Sequence, residues 1–248
     1  MIISGVEFPE QLILDQRAGR LVIFAGAGVS LDPPSSLPNF VELTEEVVSR
    51  KLKKYEKSQL DQVLGASKQA GVNVHRVTKL IVDREGSHPT VLHKSLLSLF
   101  PESTSVRVVT TNFDRHFSSA ARELFAVPPE EFAAPALPLG NDFRGIVYLH
   151  GSLERDEQRL VLTDSDFGRA YLTEGWATRF LWSYSGNTRC FSSAIATTIL
   201  SCTISRRVSP LRQSASGMRW YRRATQLAGI LSISSLSPIQ STGKNIRP

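Results

Sequence analysis

The stretch that most constrains this chain is Leu21-Val22-Ile23-Phe24-Ala25-Gly26-Ala27-Gly28-Val29-Ser30. Four large apolar residues in a row suit a strand buried on both faces, as in a parallel sheet. The run then stops at two glycines separated by one alanine, with a serine close behind. Gly26 and Gly28 allow a sharp turn and leave no side chain between the backbone and a ligand. A helix beginning beyond that turn would aim free N–H groups at an anion such as a pyrophosphate. This is part of a dinucleotide-site signature. The usual third glycine falls at Leu31 and no Gly-Lys-Ser/Thr follows, so neither the full fingerprint nor a P-loop is present. A tight strand-to-loop turn in any α/β protein would look the same.

Two further apolar runs follow, each ending in polar or glycine-bearing residues. Val106-Arg107-Val108-Val109-Thr110 leads into Thr111-Asn112-Phe113-Asp114, and Gly145-Ile146-Val147-Tyr148-Leu149 into His150-Gly151. Between the runs lie helical patterns over 8–19, 40–55, 58–82 (with a break near Gly71), 91–100 and 117–125. Leu92, Leu96, Leu97 and Leu99 form the core-facing stripe of the fourth. Three prolines make 31–39 a loop, and 128–138 reads as an irregular connection. Asp164 or Ser165 caps a helix expected to run through Phe180. Strands alternating with helices predict a Rossmann-like parallel α/β sheet with a helical insertion at about 41–100. In such sheets ligands bind outside the carboxyl ends of the strands, so the three turns are expected to meet in one crevice.

The chain resembles the sirtuin superfamily, and more closely its bacterial sirtuin-like branch. The matching residues are Gly26-Ala27-Gly28-Val29-Ser30, Leu37-Pro38-Asn39-Phe40, Thr110-Thr111-Asn112-Phe113-Asp114 and His150-Gly151, in that order. The resemblance implies NAD⁺ as substrate and cleavage of its nicotinamide–ribose bond. It implies NAD contacts from Gly26, Ala27, Gly28 and Ser30. Asn112 then holds the nicotinamide ribose and the attacking water, Asp114 receives the carboxamide, and His150 is the base. The residue types suit the chemistry. Loss of nicotinamide leaves an oxocarbenium-like ribose, which needs a polar group that positions without attacking, and a base that titrates near neutrality. Each residue also has a plainer reading. Asn112 to Asp114 can form an Asx-turn, His150 can bond backbone at the strand end, and Ser30 can cap a helix. His75, His88, His93 and His116 are read as structural.

Two departures from the deacylating sirtuins bear on activity. Residues 1–182 contain no cysteine, so the zinc-holding Cys-x-x-Cys pairs of those enzymes are absent and no metal is expected. Val41 stands where they carry an arginine after Phe40. Both favour an NAD⁺ hydrolase, a type often used in antiphage defence, over a deacylase. A non-catalytic NAD-sensing module remains the further alternative. The partner expected besides NAD⁺ is a second copy of the chain or a defence-system protein.

The basic balance of +6 is not spread evenly. Residues 183–248 hold nine Lys and Arg, no Asp or Glu, 14 serines and both cysteines, leaving 20 basic and 23 acidic residues in 1–182. Taken at face value, such a tail is a nucleic-acid arm. A reading shifted by two nucleotides from Trp182 onward instead permits Glu-Leu-Phe-Arg-Gln-Tyr-Thr-Val-Leu-Phe-Val-Gly-Tyr-Ser-His-Asn-Asp. That supplies a buried strand and the adenosine-side turn the family would lead one to expect. The tail is therefore read as out of frame and unstructured, the sheet as lacking its last strand, and nucleic acid as an unfavoured partner. The chain as written is then expected to be inactive. Residues 1–182 form the NAD-binding domain. With no long apolar run and no signal peptide, the cytoplasm is the expected location.

Overall fold

The structure is a computed structural model that describes residues 2–3, 6–7, 10–48, 59–138, 142–184, 189–194 and 198–202. The chain divides into compact units 1–211 and 212–248, the second lying wholly outside the described residues. A small antiparallel ribbon pairs β1 (Ile2–Ile3) with β2 (Val6–Glu7). The main sheet contains β3 (Leu21–Ala25), β4 (Arg107–Thr110), β5 (Glu131–Ala133), β6 (Gly145–Tyr148), β7 (Arg189–Ala194) and β8 (Thr198–Cys202). Its order is β5-β6-β4-β3-β7-β8. Neighbours run parallel except for the antiparallel pair β7–β8. This is a Rossmann-like α/β arrangement.

Alternation along each strand divides the core into two layers. Leu21, Ile23, Val108, Ile146 and Tyr148 face α5 (Val91–Leu97) and α6 (His116–Leu124), meeting Leu96, Leu97, Phe117 and Ala120. Leu12 of α1 (Glu10–Arg17) closes that layer. Val22, Val109 and Val147 face the other way, onto Trp176, Ala177 and Phe180 of α8 (Trp176–Tyr184). A third cluster joins α2 (Phe40–Val48), α3 (Leu60–Gln69) and α4 (Val74–Val82). Leu43, Val47, Leu64, Val74 and Ile81 pack there with Phe113, Leu160 and Leu162. The helical insertion is thus seated on the loops that leave β4 and β6.

One buried hydrogen-bonded pair fastens that seat. His75 on α4 shares its Nε2–H between Asp166 Oδ2 at 3.0 Å and the Leu160 carbonyl at 3.2 Å. Asp166 lies in α7 (Asp164–Gly168) and also accepts from the backbone N–H and the hydroxyl of Thr163, the N-cap of α7. Burial opposes the Asp166 charge, but bonds from His75 and Thr163 outweigh it and hold the pKa down at about 2.

The structure departs from the sequence reading at several elements. The place of the missing last strand is filled, because Arg189–Ala194 pairs with β3 in register Leu21↔Arg189 to Ala25↔Ser193. Pairing with an open parallel edge asks only for extended backbone with its N–H groups intact, and these six residues contain no proline. Within the tail expected to be unstructured, 189–194 and 198–202 form β7 and β8, and the rest of it beyond Tyr184 lies outside the described residues. The helix expected through Phe180 is broken: α7 passes into a π-helical turn over Arg169–Thr173, and Gly175 at φ 62° separates it from α8. Its cap is Thr163 rather than Asp164 or Ser165. The irregular connection holds the edge strand β5, and Leu99 lies past the end of α5, exposed. The end of the helix expected over 40–55 falls outside the described residues.

Candidate functional site

Strand register brings the three polar turns together. Ala25 pairs with Thr110, and Thr110 with Tyr148, so β3, β4 and β6 end level with one another. The pairing runs one step further, with Thr111 N–H donating to the Ala25 carbonyl at 3.1 Å and Leu149 N–H to the Thr110 carbonyl at 2.9 Å. Gly26–Ser30, Asn112–Asp114 and His150–Gly151 therefore all leave the sheet at its carboxyl edge. β3 is also where strand order reverses, with β4 on one side and β7 on the other. That is the topological position at which open α/β sheets take ligands.

The glycine turn is shorter than the sequence implied. Ala27–Ser30 makes a single 3₁₀ turn, and the next helix starts only at Phe40. No α-helix therefore begins directly behind Gly28 to present its N-terminus. Gly26 has an ordinary extended backbone (φ −110°, ψ −170°). A Cβ placed on it would meet only Thr111 Oγ1, at 3.8 Å. Neither backbone strain nor packing demands glycine there.

Ser30 is the centre of a buried polar cluster. Its hydroxyl donates to Asp114 Oδ2 at 2.9 Å and accepts from Asn112 Nδ2 at 3.2 Å. His93 Nε2 lies 3.3 Å from the same oxygen. Ser30, Asn112, Asp114 and His93 are 2%, 7%, 5% and 0% exposed, so the cluster is shielded from bulk water. Asp114 Oδ1 accepts from the His116 N–H at 3.0 Å, the Asx-turn of the plainer reading, while Oδ2 reaches Ser30. The carboxylate thus does both jobs. Ser30 caps no helix.

His93, read from the sequence as structural on a leucine-rich helix, belongs to this cluster. Thr90 N–H donates to its Nδ1 at 3.1 Å, and the Thr90 hydroxyl lies 3.0 Å from the Val29 carbonyl. Burial lowers the His93 pKa to about 4, against an upward pull from Asp114 and with a downward push from His116. His116 stacks edge-on to His93 at 5.5 Å, and its own pKa is also lowered, chiefly by burial. The available sequence signal was local: Thr90 and His93 stand at the N-cap and N3 positions of a capping box, which is built here.

His150 enters a separate contact. Its Nε2 is 2.8 Å from the Tyr171 hydroxyl, and its ring meets Phe167 and Tyr171 edge-on at 5.4 and 5.9 Å. Burial lowers the His150 pKa to about 4 and raises that of Tyr171, so at neutral pH the imidazole is uncharged and the phenol keeps its proton. The backbone is fixed as well: Val161 N–H donates to the His150 carbonyl at 2.9 Å, and Gly151 sits at φ 94°, where a side chain would be strained. The structure thus brings Ser30, Asn112 and Asp114 into one hydrogen-bonded group. It sets His150 at the end of the adjoining strand with a partner of its own.

Among the described residues no group of His, Cys, Asp and Glu is arranged to hold a metal ion, and no helix is long and apolar enough to cross a membrane.

A doubly wound sheet with polar turns at the carboxyl ends of three adjacent strands defines the Rossmann-like class. Within it, residues 106–194 match the family described as SIR2-like domain. The matched span holds Asn112, Asp114 and His150, while Gly26–Ser30 precedes it. The chain is also 32% identical over 203 residues to the uncharacterized protein y4cA of Sinorhizobium fredii (strain NBRC 101917 / NGR234). That alignment covers 72% of this chain, and the chain spans only 16% of the relative's length.

Proposed function

We propose that this chain binds NAD⁺ at the carboxyl edge of its sheet and hydrolyses the nicotinamide–ribose bond. The observation that carries the reading is the Ser30–Asn112–Asp114 group, buried and hydrogen-bonded at the sheet position where nucleotides bind. The match to the SIR2-like domain supports NAD⁺ as the substrate. In the reaction the C–N bond between ribose C1′ and nicotinamide breaks, and its electron pair returns to the pyridinium nitrogen. Water adds to the cationic C1′ and gives up a proton. Asn112 holds the ribose and that water through its amide, uncharged and non-nucleophilic. Asp114 accepts from the carboxamide N–H₂. His150 is uncharged at working pH and takes the proton, although burial sets its pKa at about 4, below the near-neutral value the chemistry calls for.

The first 182 residues contain no cysteine, and Val41 follows Phe40. Both features favour water over an acyl-lysine as the acceptor. NAD⁺ consumption of this kind fits a role in antiphage defence, with a second copy or a defence-system protein as partner. The acid-free composition of 183–248 supports a change of reading frame near Trp182. The gene's nucleotide sequence decides that point: codons that cannot yield the offset strand and Gly-Tyr-Ser turn dispose of it.

The test of activity is incubation with NAD⁺ alone, using both the chain as written and the chain with that frame restored. Nicotinamide and ADP-ribose released in equal amounts without any peptide is the expected result. Release only with an acyl-lysine peptide makes the chain a deacylase. Tight binding without turnover makes it a sensor, and salt-dependent DNA binding lost on removing 183–248 makes the tail a nucleic-acid arm.

A further inference from the structure

Ser30 Oγ has one proton to give and two lone pairs to share. A carboxylate oxygen of Asp114 takes the proton. One lone pair receives Asn112 Nδ2–H, which leaves the other for His93 Nε2. For that bond to form, Nε2 must carry hydrogen. The opposite ring nitrogen settles it: Nδ1 accepts the Thr90 backbone N–H at 3.1 Å, so it is the unprotonated nitrogen. A proton on Nδ1 would face the Thr90 N–H, which has only that nitrogen to donate to here. Every valence of Ser30 is then used, and each of its three hydrogen bonds has one direction.

We propose that His93, held as the Nε2–H tautomer by the first turn of α5, is a positioning residue that fixes how Asn112 presents its amide to the substrate. With His93 and Asp114 orienting the serine, the face left to Asn112 accepts only an N–H₂. The amide nitrogen therefore turns inward to Ser30, and its carbonyl oxygen is left for a ribose hydroxyl or the attacking water. Without the His93 donor, Ser30 is free to rotate, and either end of the amide can face it. Thr90 ties the same bracket to the main chain, its hydroxyl lying 3.0 Å from the carbonyl of Val29, next to Ser30. Burial favours the neutral ring this arrangement needs. The inference deepens the NAD⁺ reading and rests on it for its kinetic consequence. The tautomer itself does not depend on any activity.

Two isosteres separate positioning from helix capping. His93→Gln places an N–H₂ near the Nε2 position and gives up the Nδ1 acceptor. His93→Asn places an oxygen near Nδ1 and gives up the donor to Ser30. Nicotinamide release by His93→Asn should fall roughly ten- to hundredfold in kcat, the loss of one buried hydrogen bond, with KM nearly unchanged and the melting temperature kept. His93→Gln should hold kcat within a few-fold of the parent while melting lower. A His93→Asn chain as fast as the parent, or a His93→Gln chain as slow as His93→Asn, overturns the assignment. Imidazole ¹⁵N spectra of the full chain at neutral pH supply the second arm, with the His93 signals identified by their loss in either variant. The Nε2–H form is expected; the Nδ1–H form or the doubly protonated ring overturns the assignment. If the parent releases no nicotinamide, the hydrolase reading falls and these spectra still decide the tautomer.

Discussion

The hydroxyl of Ser30 donates to Oδ2 of Asp114 at 2.9 Å, joining positions 84 residues apart. Ser30 reaches that point because β3 stops at Ala25 and one 3₁₀ turn follows, Asp114 because β4 stops level with it. Replacing Ser30 by alanine leaves the Asn112 and His93 donors facing each other with no acceptor between them. A buried polar group stranded in this way costs about 1–3 kcal/mol. Ser30→Ala should lower the melting temperature by the equivalent amount and slow nicotinamide release more than tenfold. Unchanged turnover would remove the hydroxyl from the site.

Asn112 and His150 are expected to be indispensable for separate reasons. Asn112→Ala removes the group that holds the ribose. His150→Ala removes the base while leaving the Ser30–Asp114 bond untouched. Each should abolish nicotinamide release, and circular dichroism of the two variants should match the parent. Turnover surviving in either withdraws that residue from the chemistry.

The strands carrying these residues were legible because a parallel strand covered on both faces is apolar without a break, as Leu21-Val22-Ile23 and Val108-Val109 are. The loop over 31–39 and the break near Gly71 follow from proline and glycine alone. What escaped depends on partners remote in sequence. β5 exists because Glu131–Ala133 pairs with Ile146–Tyr148, and three half-buried residues among prolines carry no period of their own. His93 looked like one more residue on a leucine stripe, since nothing local says that its ring meets Ser30, 63 positions earlier. The hydrogen bond between His150 and Tyr171 was hidden for the same reason: a π-helical turn, invisible in the periodicity, carries the tyrosine to the end of β6.

Acid should weaken the fold in two stages. His93 and His150 have folded pKa values near 4, below the ordinary 6.5, so the unfolded chain takes up protons first as pH falls. Their contribution to stability is full above about pH 6.5 and is lost progressively between 6.5 and 4. Asp166 behaves as a carboxylate held down at about 2 against an ordinary 3.8, so its contribution is full above about pH 4 and disappears as pH falls through 2. The linkage for Asp166 is on the order of 2 kcal/mol. Denaturant unfolding across pH measures both stages, and Asp166→Asn should erase the lower one only. A lower stage unchanged in that variant would show that the bonds from His75 and Thr163 to Asp166 contribute nothing.

Gly26 and Gly151 allow the demands of the fold to be separated from those of the ligand. At Gly151 the backbone sits at φ 94°, and an added Cβ would lie 3.2 Å from Leu160 Cδ2. Gly151→Ala should therefore cost about 1–3 kcal/mol of stability whatever the chain binds. At Gly26 the backbone is ordinary and the nearest atom to a new Cβ is 3.8 Å away, so Gly26→Ala should change stability by less than about 0.5 kcal/mol. If the turn receives a pyrophosphate against bare backbone, the same methyl group occupies the space of the ligand. NAD⁺ affinity should then fall at least tenfold, about 1.4 kcal/mol of binding energy. Calorimetric titration of Gly26→Ala beside its melting curve provides the comparison. A variant that melts with the parent and binds NAD⁺ equally well would mean that the dinucleotide does not approach β3 at this turn.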